Sequence, residues 1–287
     1  MITMKDFKTE KATWCPGCGD FGVLNALQKA AVDLGIHPDD IVVVSGIGCS
    51  GKISQHFGSY GFHSLHGRSL PVAQAVKLAN KDLTVIAAGG DGDGFGIGMG
   101  HFIHAMRRNV DITYVVMDNH IYGLTTGQAS PTSDVGFNTK TSPYGTVEAP
   151  IHPIQLALAQ ECGFVAQGFS GNIKQLTQLI EKAIWHKGFS FVNVFSPCVT
   201  FNKVNTYDFY KHELVNLDDD DTYDPHDRSA ALARVTGREN VVVGLIYEDT
   251  TRSSFEDATY GFPEEAIAKR DWALSREELA ELAATFR

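Results

Sequence analysis

The sequence is poor in positive charge and contains no long apolar run. Among its 287 residues, 24 are Lys or Arg and 34 are Asp or Glu, which gives a formal net charge of −10. A chain this acidic lacks the basic surface by which proteins bind nucleic acids. No segment approaches the roughly 18 consecutive apolar residues of a membrane-spanning helix, and the first residues, MITMKDFKTEK, do not have the pattern of a signal peptide. We therefore expect a cytoplasmic protein with no nucleic-acid partner and no membrane partner.

Cysteine is also scarce, with five residues in the whole chain. Disulfide frameworks are typical of small exported domains, so a few cysteines in a long chain indicate metal or redox chemistry instead. Cys15 and Cys18 form a CxxC sequence just before a predicted helix, while Cys49 and Cys198 each follow a predicted strand. No role is predicted for Cys162.

Hydrophobic residues, by contrast, make up 43% of the chain and are ample for a core. Short apolar runs alternate with segments of helical periodicity, and this alternation predicts an α/β fold with a parallel sheet covered by helices on both faces. The predicted strands are residues 41–45, 83–88, 112–117, 164–169, 189–195 and 241–247. The predicted helices are residues 20–35, 71–80, 96–108, 153–161, 173–187 and 276–286, of which the first, fifth and sixth are capped by Asp20, Asn172 and Ser275.

Three segments are predicted to be loops. Residues 55–69 are rich in Gly, His and Ser, and residues 129–150 are rich in Ser, Thr, Pro and Gly. The second of these loops is long enough to cover a cofactor. The acidic run at 218–221 is predicted to be solvated.

The segment from residue 83 to residue 128 carries the clearest functional signal. Its first strand ends at GGDGDG, a crossover helix follows, and Asn119 comes directly after the next strand. Because a right-handed βαβ unit makes its strands parallel, we expect Asp91 and Asn119 at the same edge of the sheet. Carboxylate and amide oxygens suit a hard cation such as Mg²⁺, and neighbouring glycines let a diphosphate approach backbone N–H groups. The alternative is a glycine-rich turn that carries a surface aspartate.

A second glycine pattern follows the strand at residues 41–45. Gly46, Gly48 and Gly51 form a GxGxxG sequence, which is the fingerprint of dinucleotide binding. That fingerprint requires an acidic residue about twenty positions further on. No Asp or Glu lies between Lys52 and Lys81, so we do not predict a dinucleotide site here.

Four of the cysteines are expected to converge. Cys49 and Cys198 follow predicted strands, so we expect them at the same sheet edge as Asp91. Cys15 and Cys18 precede a predicted helix, where the free backbone N–H groups of the first turn favour thiolates. Three interpretations remain: a structural zinc site, an iron–sulfur cluster, or separate buried cysteines with a redox CxxC. The position beside a diphosphate cofactor favours the cluster, because an electron acceptor must lie close to the reacting carbon.

Several of these patterns resemble one known family. Gly90-Asp91-Gly92, with Asn119 after 26 intervening residues, resembles the thiamine-diphosphate motif. WCPGCGD, GIGCSGK, HGR, GGDGD, and DNHIYGLTTGQ followed by SPT resemble the β subunit of a two-subunit 2-oxoacid:ferredoxin oxidoreductase, in this order, between residues 14 and 201. The resemblance implies a thiamine-diphosphate-binding fold in residues 1–199, and we expect residues 200–287 to form a C-terminal extension that packs on it or on a partner.

The resemblance also implies the ligands of each cofactor. Cys15, Cys18, Cys49 and Cys198 match the ligands of a 4Fe–4S cluster, and Asp91, Asn119 and the backbone carbonyl of Ile121 match those of Mg²⁺. The residues expected to line the thiamine diphosphate are Ile47, Gly48, Cys49, Ser50, His66, Gly90, Asp91, Gly92, Asp93, Asn119, Ile121, Tyr122, Gly123, Leu124 and Thr125.

The activity implied is oxidative decarboxylation of a 2-oxo acid, with 2-oxoglutarate the favoured substrate. Electrons would pass through the cluster to ferredoxin, and the acyl group would pass to coenzyme A. In such enzymes the cofactors carry out the chemistry, and the protein positions them. An α subunit is expected to complete an α₂β₂ assembly, since no stretch here resembles the domain that supplies the activating glutamate. Thr126 departs from the family, many members of which carry a basic residue there.

Two single residues are candidate catalytic groups. Lys52, three residues after Cys49, could bind the substrate carboxylate or be an ordinary solvated lysine. His66 in the HGR sequence could donate a hydrogen bond to a phosphate or could simply pack in its loop. Two other functions remain open: a non-redox thiamine-diphosphate decarboxylase or synthase with a structural zinc, and a binding subunit without turnover.

Overall fold

The centre of the molecule is a sheet of eight strands in the order β2-β1-β3-β4-β8-β7-β10-β9, with β5 and β6 forming a separate two-stranded ribbon. The computed structural model describes residues 1–238 and 241–286. The strands are β1 (Ile41–Ser45), β2 (Tyr60–His63), β3 (Thr84–Gly90), β4 (Thr113–Asp118), β5 (Ile121–Tyr122), β6 (Gln128–Ala129), β7 (Phe164–Phe169), β8 (Ser190–Phe195), β9 (Val215–Asn216) and β10 (Val242–Glu248). The six predicted strands are present, with ends within two residues of those predicted.

The helices cover both faces of this sheet, as predicted. They are α1 (Asp20–Asp33), α2 (Ile53–His56), α3 (Ser69–Ala79), α4 (Met99–Arg108), α5 (Pro153–Ala159), α6 (Ile173–Trp185), α7 (Tyr207–Glu213), α8 (Arg228–Val235), α9 (Phe255–Ala258) and α10 (Arg276–Ala284). Helices α3, α4, α5 and α8 contribute to the hydrophobic cluster on one face. Helices α1, α2 and α6 contribute to the cluster on the other.

Strand β4 shows why both faces must be covered. All six of its residues are buried. Because side chains alternate along a strand, Tyr114 and Val116 enter one hydrophobic cluster while Val115 and Met117 enter the other. A strand that is buried on both faces has a nearly continuous run of apolar residues in its sequence, and this pattern is typical of central strands in parallel sheets.

Two features of the sheet differ from the prediction. Strand β10 pairs with β7 in the antiparallel direction, so the sheet is mostly rather than wholly parallel. Strand β2 lies in the segment 55–69 that was predicted to be a loop, and the short helix α2 overlaps its first two residues. Each residue of β2 is exposed, so burial of side chains does not specify this edge strand, and its partner β1 fixes it through backbone pairing.

Two local predictions were also wrong in detail. Gly19 rather than Asp20 precedes α1 at the N-cap position, and Asp20 is fully buried. Helix α4 begins at Met99, because residues 92–97 form a π-helical turn before it. The acidic run at 218–221 is largely exposed, as predicted, and it also makes specific contacts: Asp218 accepts hydrogen bonds from Gln175 and Leu245, and Asp220 pairs with Arg234.

The residues after the predicted domain boundary contribute to the same sheet. Strands β9 and β10 add to its edge, and Ala231 and Val235 of α8 enter the core. Helix α10 carries the predicted capping box at Ser275 and has no buried residue. The boundary at residue 199 stays a prediction, and residues 239, 240 and 287 lie outside the described residues. Within the described residues, no helix combines the length and apolar character needed to cross a membrane.

Candidate functional site

The carboxyl ends of the central strands meet at one edge of the sheet. In the pairing register, Gly90 of β3 lies opposite Met117 of β4, and Asp118 of β4 lies opposite Phe195 of β8. The segments that leave these strands therefore start side by side. The edge brings together the glycine-rich turn after β3, the residues after β4 and the cysteine that follows β8.

A cleft of about 80 Å³ opens at this edge. Its wall contains every residue that the sequence predicted to bind the cofactor. These residues are Ile47, Gly48, Cys49, Ser50, His66, Gly90, Asp91, Gly92, Asp93, Asn119, Ile121, Tyr122, Gly123, Leu124 and Thr125. The candidate catalytic residue Lys52 is not in this wall but lines the neighbouring cavity, described below, where its Nζ atom lies 3.5 Å from the carbonyl oxygen of Thr13.

Asp91 and Asn119 lie at the floor of the cleft. Asp91 is 1% exposed, and its Oδ1 atom is 3.5 Å from the backbone nitrogen of Asn119. The side-chain oxygen of Asn119 accepts a hydrogen bond of 3.1 Å from the backbone N–H of Ile121. This turn passes through His120 in the left-handed region, with φ 56°, and brings the Ile121 segment back toward Asp91.

The carboxyl group of Asp91 lies in an environment that disfavours its negative charge. Burial, reinforced by the neighbouring Asp118 carboxyl, raises the pKa of Asp91 to about 6. A bound cation would compensate two such carboxyl groups and would favour ionised Asp91. This donor set of carboxylate, amide and backbone oxygens is one that Mg²⁺ prefers.

The glycines of the cleft leave room that side chains would fill. A Cβ atom on Gly92 would lie 2.2 Å from the Tyr122 ring, and one on Gly90 would lie 3.1 Å from the hydroxyl of Ser50. Gly48 has φ +120°, a conformation open mainly to glycine. The cleft wall therefore presents backbone rather than side chains, which fits the close approach of a diphosphate.

Asp93 holds two loops at the rim of the cleft. Its Oδ1 atom accepts hydrogen bonds from the backbone N–H groups of Ile47, at 2.8 Å, and Gly67, at 2.7 Å. His66 Nδ1 lies 3.3 Å from the same oxygen, without the alignment of a hydrogen bond. Burial raises the pKa of Asp93, while the two N–H donors oppose this shift. The carboxyl group thus fixes the loop that carries His66 against the loop after β1.

The second cavity, of about 200 Å³, lies next to the cleft and contains the four predicted cysteine ligands in its wall. Its lining residues are Thr13, Trp14, Cys15, Cys18, Cys49, Lys52, Asn119, Gly123, Leu124, Cys198, Val199, Thr200 and Phe201. A Cβ atom built on Gly123 would lie 3.5 Å from Cys198 Sγ and 3.7 Å from Cys49 Sγ. Residues from four separate segments of the chain therefore face one space.

Two thiols of this cavity, those of Cys18 and Cys49, are hard to ionise in the absence of a cation. Burial, followed by the charge of Asp20, raises the pKa of Cys49 to about 11 and that of Cys18 further still. Burial also raises the pKa of Asp20 to about 6, although the Ser196 hydroxyl donates a 2.7 Å hydrogen bond to it. Thiolates in this place need positive charge nearby, which a metal centre would supply.

The arrangement of the cysteines bears on the kind of metal centre. Among the described residues, no group of three or more His, Cys, Asp or Glu side chains is positioned to hold a metal ion. A mononuclear zinc requires four ligands that converge on one point. An iron–sulfur cube instead distributes its four cysteine ligands over separate iron atoms.

The cleft and the cavity share part of their walls. Cys49, Asn119, Gly123 and Leu124 line both spaces. Cys49 follows the strand β1, and Gly123 and Leu124 follow the short strand β5. A group in the cavity would therefore lie directly beside one in the cleft.

Sequence reasoning missed several residues that support these spaces. Asp118 and Thr132 lie against Asp91, with Thr132 Oγ1 2.8 Å from Asp91 Oδ2 and 2.9 Å from Asp118 Oδ1. Asp20 was predicted to be a helix cap and lies beside the cysteines instead. Thr132 lay in the SPT sequence, and Asp118 was the first residue of DNHIYGLTTGQ after the predicted strand, but neither was assigned a role.

Comparison with known families matches most of the chain after residue 45. Residues 46–194 match the family "Thiamine pyrophosphate enzyme, C-terminal TPP binding domain". Residues 198–264 match the C-terminal family of the pyruvate ferredoxin oxidoreductase beta subunit. The first match contains every residue of the cleft wall, and the second begins at Cys198.

Individual relatives give the same result. The chain is 44% identical over 266 residues to 2-oxoacid:ferredoxin oxidoreductase subunit beta of Saccharolobus solfataricus, with 88% of this chain and 87% of the relative covered. It is 44% identical over 204 residues to 2-oxoglutarate synthase subunit KorB of Archaeoglobus fulgidus, with 71% and 76% covered. A chain of 2-oxoglutarate:ferredoxin oxidoreductase from Magnetococcus marinus, solved with 2-oxoglutarate, coenzyme A and succinyl-CoA bound, superposes with a TM-score of 0.87 at 40% identity, covering 98% of this chain and 96% of that one.

Proposed function

Since this chain belongs to the family of 2-oxoacid:ferredoxin oxidoreductase β subunits, we propose that it holds the thiamine diphosphate, Mg²⁺ and 4Fe–4S cluster of such an enzyme. The reaction is the oxidative decarboxylation of a 2-oxo acid to an acyl-CoA and CO₂, with ferredoxin as electron acceptor. The observation that supports this most directly is the shared wall of the cleft and the cysteine cavity.

In the cleft, the residues of this chain bind and orient the diphosphate end of the cofactor. Asp91, Asn119 and the carbonyl oxygen of Ile121 are proposed to hold Mg²⁺, which neutralises phosphate charge. Gly90 and Gly92 leave their backbone open to the phosphates. When bound, thiamine diphosphate supplies the carbon nucleophile and the electron sink that decarboxylation of a 2-oxo acid requires.

The loop residues above the cleft are proposed to complete the pocket. His66 lies at the rim with its loop fixed by Asp93, where its imidazole can donate a hydrogen bond to a phosphate oxygen. Tyr122 donates a 3.0 Å hydrogen bond to the carbonyl oxygen of Gly92 and closes one side of the cleft. Together these side chains keep water away from the bound diphosphate.

In the cavity, Cys15, Cys18, Cys49 and Cys198 are proposed to hold a 4Fe–4S cluster, which accepts electrons one at a time. The positive charge of Lys52 lowers the pKa of Cys49 against the effect of burial. Lys52 thus helps to keep a thiolate ligand ionised, and it remains our candidate to bind a substrate carboxylate at this edge of the site. The zinc alternative would use the same four cysteines, and it is separated from the cluster by the metal analysis described below.

The substrate is proposed to be 2-oxoglutarate, with coenzyme A as the acyl acceptor. The relatives from Archaeoglobus fulgidus and Magnetococcus marinus are named for 2-oxoglutarate, and the latter was solved with coenzyme A bound. The partner is proposed to be an α subunit in an α₂β₂ enzyme, because a β subunit is named relative to another chain. The location is proposed to be the cytoplasm.

The test is anaerobic purification of the chain together with its partner subunit, followed by iron analysis and a viologen reduction assay. We expect a brown protein that bleaches with dithionite and reduces viologen only with a 2-oxo acid and coenzyme A, with 2-oxoglutarate the best of a substrate panel. Asp91→Asn should abolish turnover and keep the colour. Asp82→Asn, an exposed acid that pairs with Lys269, is the matched control and should change neither.

Three results would contradict the proposal. A colourless protein that contains zinc would exclude the redox role of the cysteines. Full turnover by the β chain without its partner would exclude the need for an α subunit. Preference for pyruvate over 2-oxoglutarate by a large factor would exclude the proposed substrate while leaving the reaction type intact.

A further inference from the structure

A tight turn from the loop after β6 reaches beneath the cleft. Thr132 in this turn is 2% exposed, and its hydroxyl lies 2.8 Å from Asp91 Oδ2 and 2.9 Å from Asp118 Oδ1. The turn belongs to the long segment predicted to be a loop, which was assigned no role beyond a possible cover for the cofactor. The Thr132 hydroxyl is directed at the carboxyl groups of Asp91 and Asp118 and not at solvent.

The contacts distinguish the two oxygens of Asp91. Its Oδ2 atom is held by the Thr132 hydroxyl at hydrogen-bonding distance. The donor facing its Oδ1 atom is the backbone nitrogen of Asn119, at the long distance of 3.5 Å. The Ser130 side chain, in the same turn, also hydrogen-bonds to Asp91. The one hydrogen of the Thr132 hydroxyl lies within reach of both Asp91 and Asp118, and when it is donated to Asp91 Oδ2 it fixes the rotation of that carboxyl group about its last bond. The weakly held Oδ1 atom is left for a cation.

The turn is also tied to the other proposed metal ligands. The Ser133 hydroxyl donates a 2.7 Å hydrogen bond to the carbonyl oxygen of His120. His120 Nδ1 in turn lies 2.8 Å from the carbonyl oxygen of Thr132. His120 lies between Asn119 and Ile121 in the chain. The same turn therefore supports both residues whose oxygen atoms are proposed to bind the cation.

We propose that Thr132 is a positioning residue that orients Asp91 for the divalent cation of the thiamine diphosphate site. This inference rests on the proposed function, because it assumes that Asp91 binds the cation. Groups that orient metal ligands through hydrogen bonds affect metal binding nearly as strongly as the ligands themselves, and their loss costs about 10- to 100-fold in metal affinity or activity.

The test measures binding of Mn²⁺, as a spectroscopic substitute for Mg²⁺, to the full-length enzyme complex in the presence of thiamine diphosphate. Free Mn²⁺ is followed by its electron paramagnetic resonance signal. Thr132→Val should weaken Mn²⁺ binding about 10- to 100-fold, and Thr132→Ser, which keeps the hydroxyl, should restore it. The matched control is Thr141→Val in the same loop, where the exposed hydroxyl lies 3.2 Å from that of Thr139.

A purely structural role for Thr132 predicts a different result. It would lower the melting temperature of the metal-free and the loaded enzyme by equal amounts, whereas a positioning role reduces the rise in melting temperature that the cation and cofactor produce. An unchanged Mn²⁺ affinity in Thr132→Val would overturn the inference. Should that variant not fold, Thr132→Ala, which adds no methyl group against the carboxyl groups, is measured in its place.

Asp91→Asn separates this inference from the proposed function. If Asp91→Asn loses Mn²⁺ binding while Thr132→Val keeps it, the metal site stands and only the role of Thr132 is wrong. If Asp91→Asn binds Mn²⁺ as tightly as the wild type, the proposed metal site itself is wrong, and the role of Thr132 with it.

Discussion

Gly123 is the residue where the two spaces come closest. A Cβ atom there would lie 3.5 Å from Cys198 Sγ and 3.7 Å from Cys49 Sγ, distances of ordinary van der Waals contact. Gly123→Ala should therefore fold normally without metal, yet place a methyl group beside two of the proposed cluster ligands. We expect iron incorporation, measured by chemical analysis and by the visible absorbance of the purified protein, to fall to a small fraction of the wild-type value.

The control for this change is another glycine with free space around it. Gly100 lies on α4, and a Cβ atom there would meet nothing within 4 Å. Gly100→Ala should leave iron content unchanged and raise helix stability by about 0.5–1 kcal/mol. Normal iron content in Gly123→Ala would show that the cavity between these sulfurs does not hold the cluster.

Cys162 and Cys15 should differ sharply in reactivity in the iron-free chain. Cys162 is fully buried, its Sγ atom contacts the carbonyl oxygen of Phe164, and burial raises its pKa to about 12. Since only the thiolate is nucleophilic, Cys162 should resist iodoacetamide at mildly alkaline pH. Cys15 is exposed and should be the first cysteine modified, as read from mass spectrometry of the peptides.

Unfolding provides the internal reference for this experiment. In guanidinium chloride the burial that raises the pKa of Cys162 is lost, so its rate of alkylation should approach that of Cys15. Equal rates in the folded chain would mean that Cys162 is accessible, and would reopen the question of its function.

At the level of single residues, the sequence predicts where the proposed ligands lie better than it predicts the residues that support them. Asp91 and Asn119 could be identified because each follows a strand end, and the strand ends of a parallel sheet share an edge. Thr132 lies in a long loop, and a loop has no hydrophobic periodicity from which its path could be predicted. Its contact with Asp91 was therefore not predicted. Asp20 was predicted to be a cap because it precedes a helix, although its carboxyl group is buried beside Ser196 instead.

Among the secondary-structure elements, β10 is held in part by Asp218, an acidic residue that is exposed and yet makes specific hydrogen bonds. Asp218 accepts hydrogen bonds from the side chain of Gln175 at 2.7 Å and from the backbone N–H of Leu245 at 3.4 Å. Asp218→Ala should lower the free energy of unfolding by about 1 kcal/mol, since a net hydrogen bond contributes about that much. Thermal or urea unfolding measures this change.

Asp219 offers the matched comparison for that substitution. It is the next residue, and it is exposed to solvent in the same short 3₁₀ turn. Asp219→Ala should change the unfolding free energy by less than about 0.5 kcal/mol. Equal effects of the two substitutions would contradict a specific role of Asp218 in holding β10.

Elements buried on both faces were predictable, and those at the sheet edge were not. The strands β1 and β7 have the predicted ends, because apolar side chains must be covered on both sides. Strand β2 was missed because it is exposed and is specified by its neighbour β1 through the backbone. The antiparallel direction of β10 depends on the path of the chain after β8, which local sequence does not encode.

At the scale of the whole molecule, the cores and the candidate sites occupy different regions. The two large hydrophobic clusters lie on the two faces of the sheet. The cleft and the cysteine cavity lie beyond its carboxyl edge, where loops from several strands meet. The general location of function could be predicted from topology alone, because ligands bind at this edge in open α/β sheets.

This separation predicts that loss of the metal cluster does not unfold the protein. The apolar side chains of the sheet remain covered by helices on both faces without the cluster, in contrast to small metal-binding domains whose fold depends on the metal. Iron removal by a chelator under reducing conditions should therefore leave the far-ultraviolet circular dichroism spectrum unchanged and allow cation-dependent binding of thiamine diphosphate. Electron transfer to viologen should be lost. Cooperative unfolding on iron removal would instead make the cluster part of the structural core, and would place the cysteine ligands among the determinants of the fold.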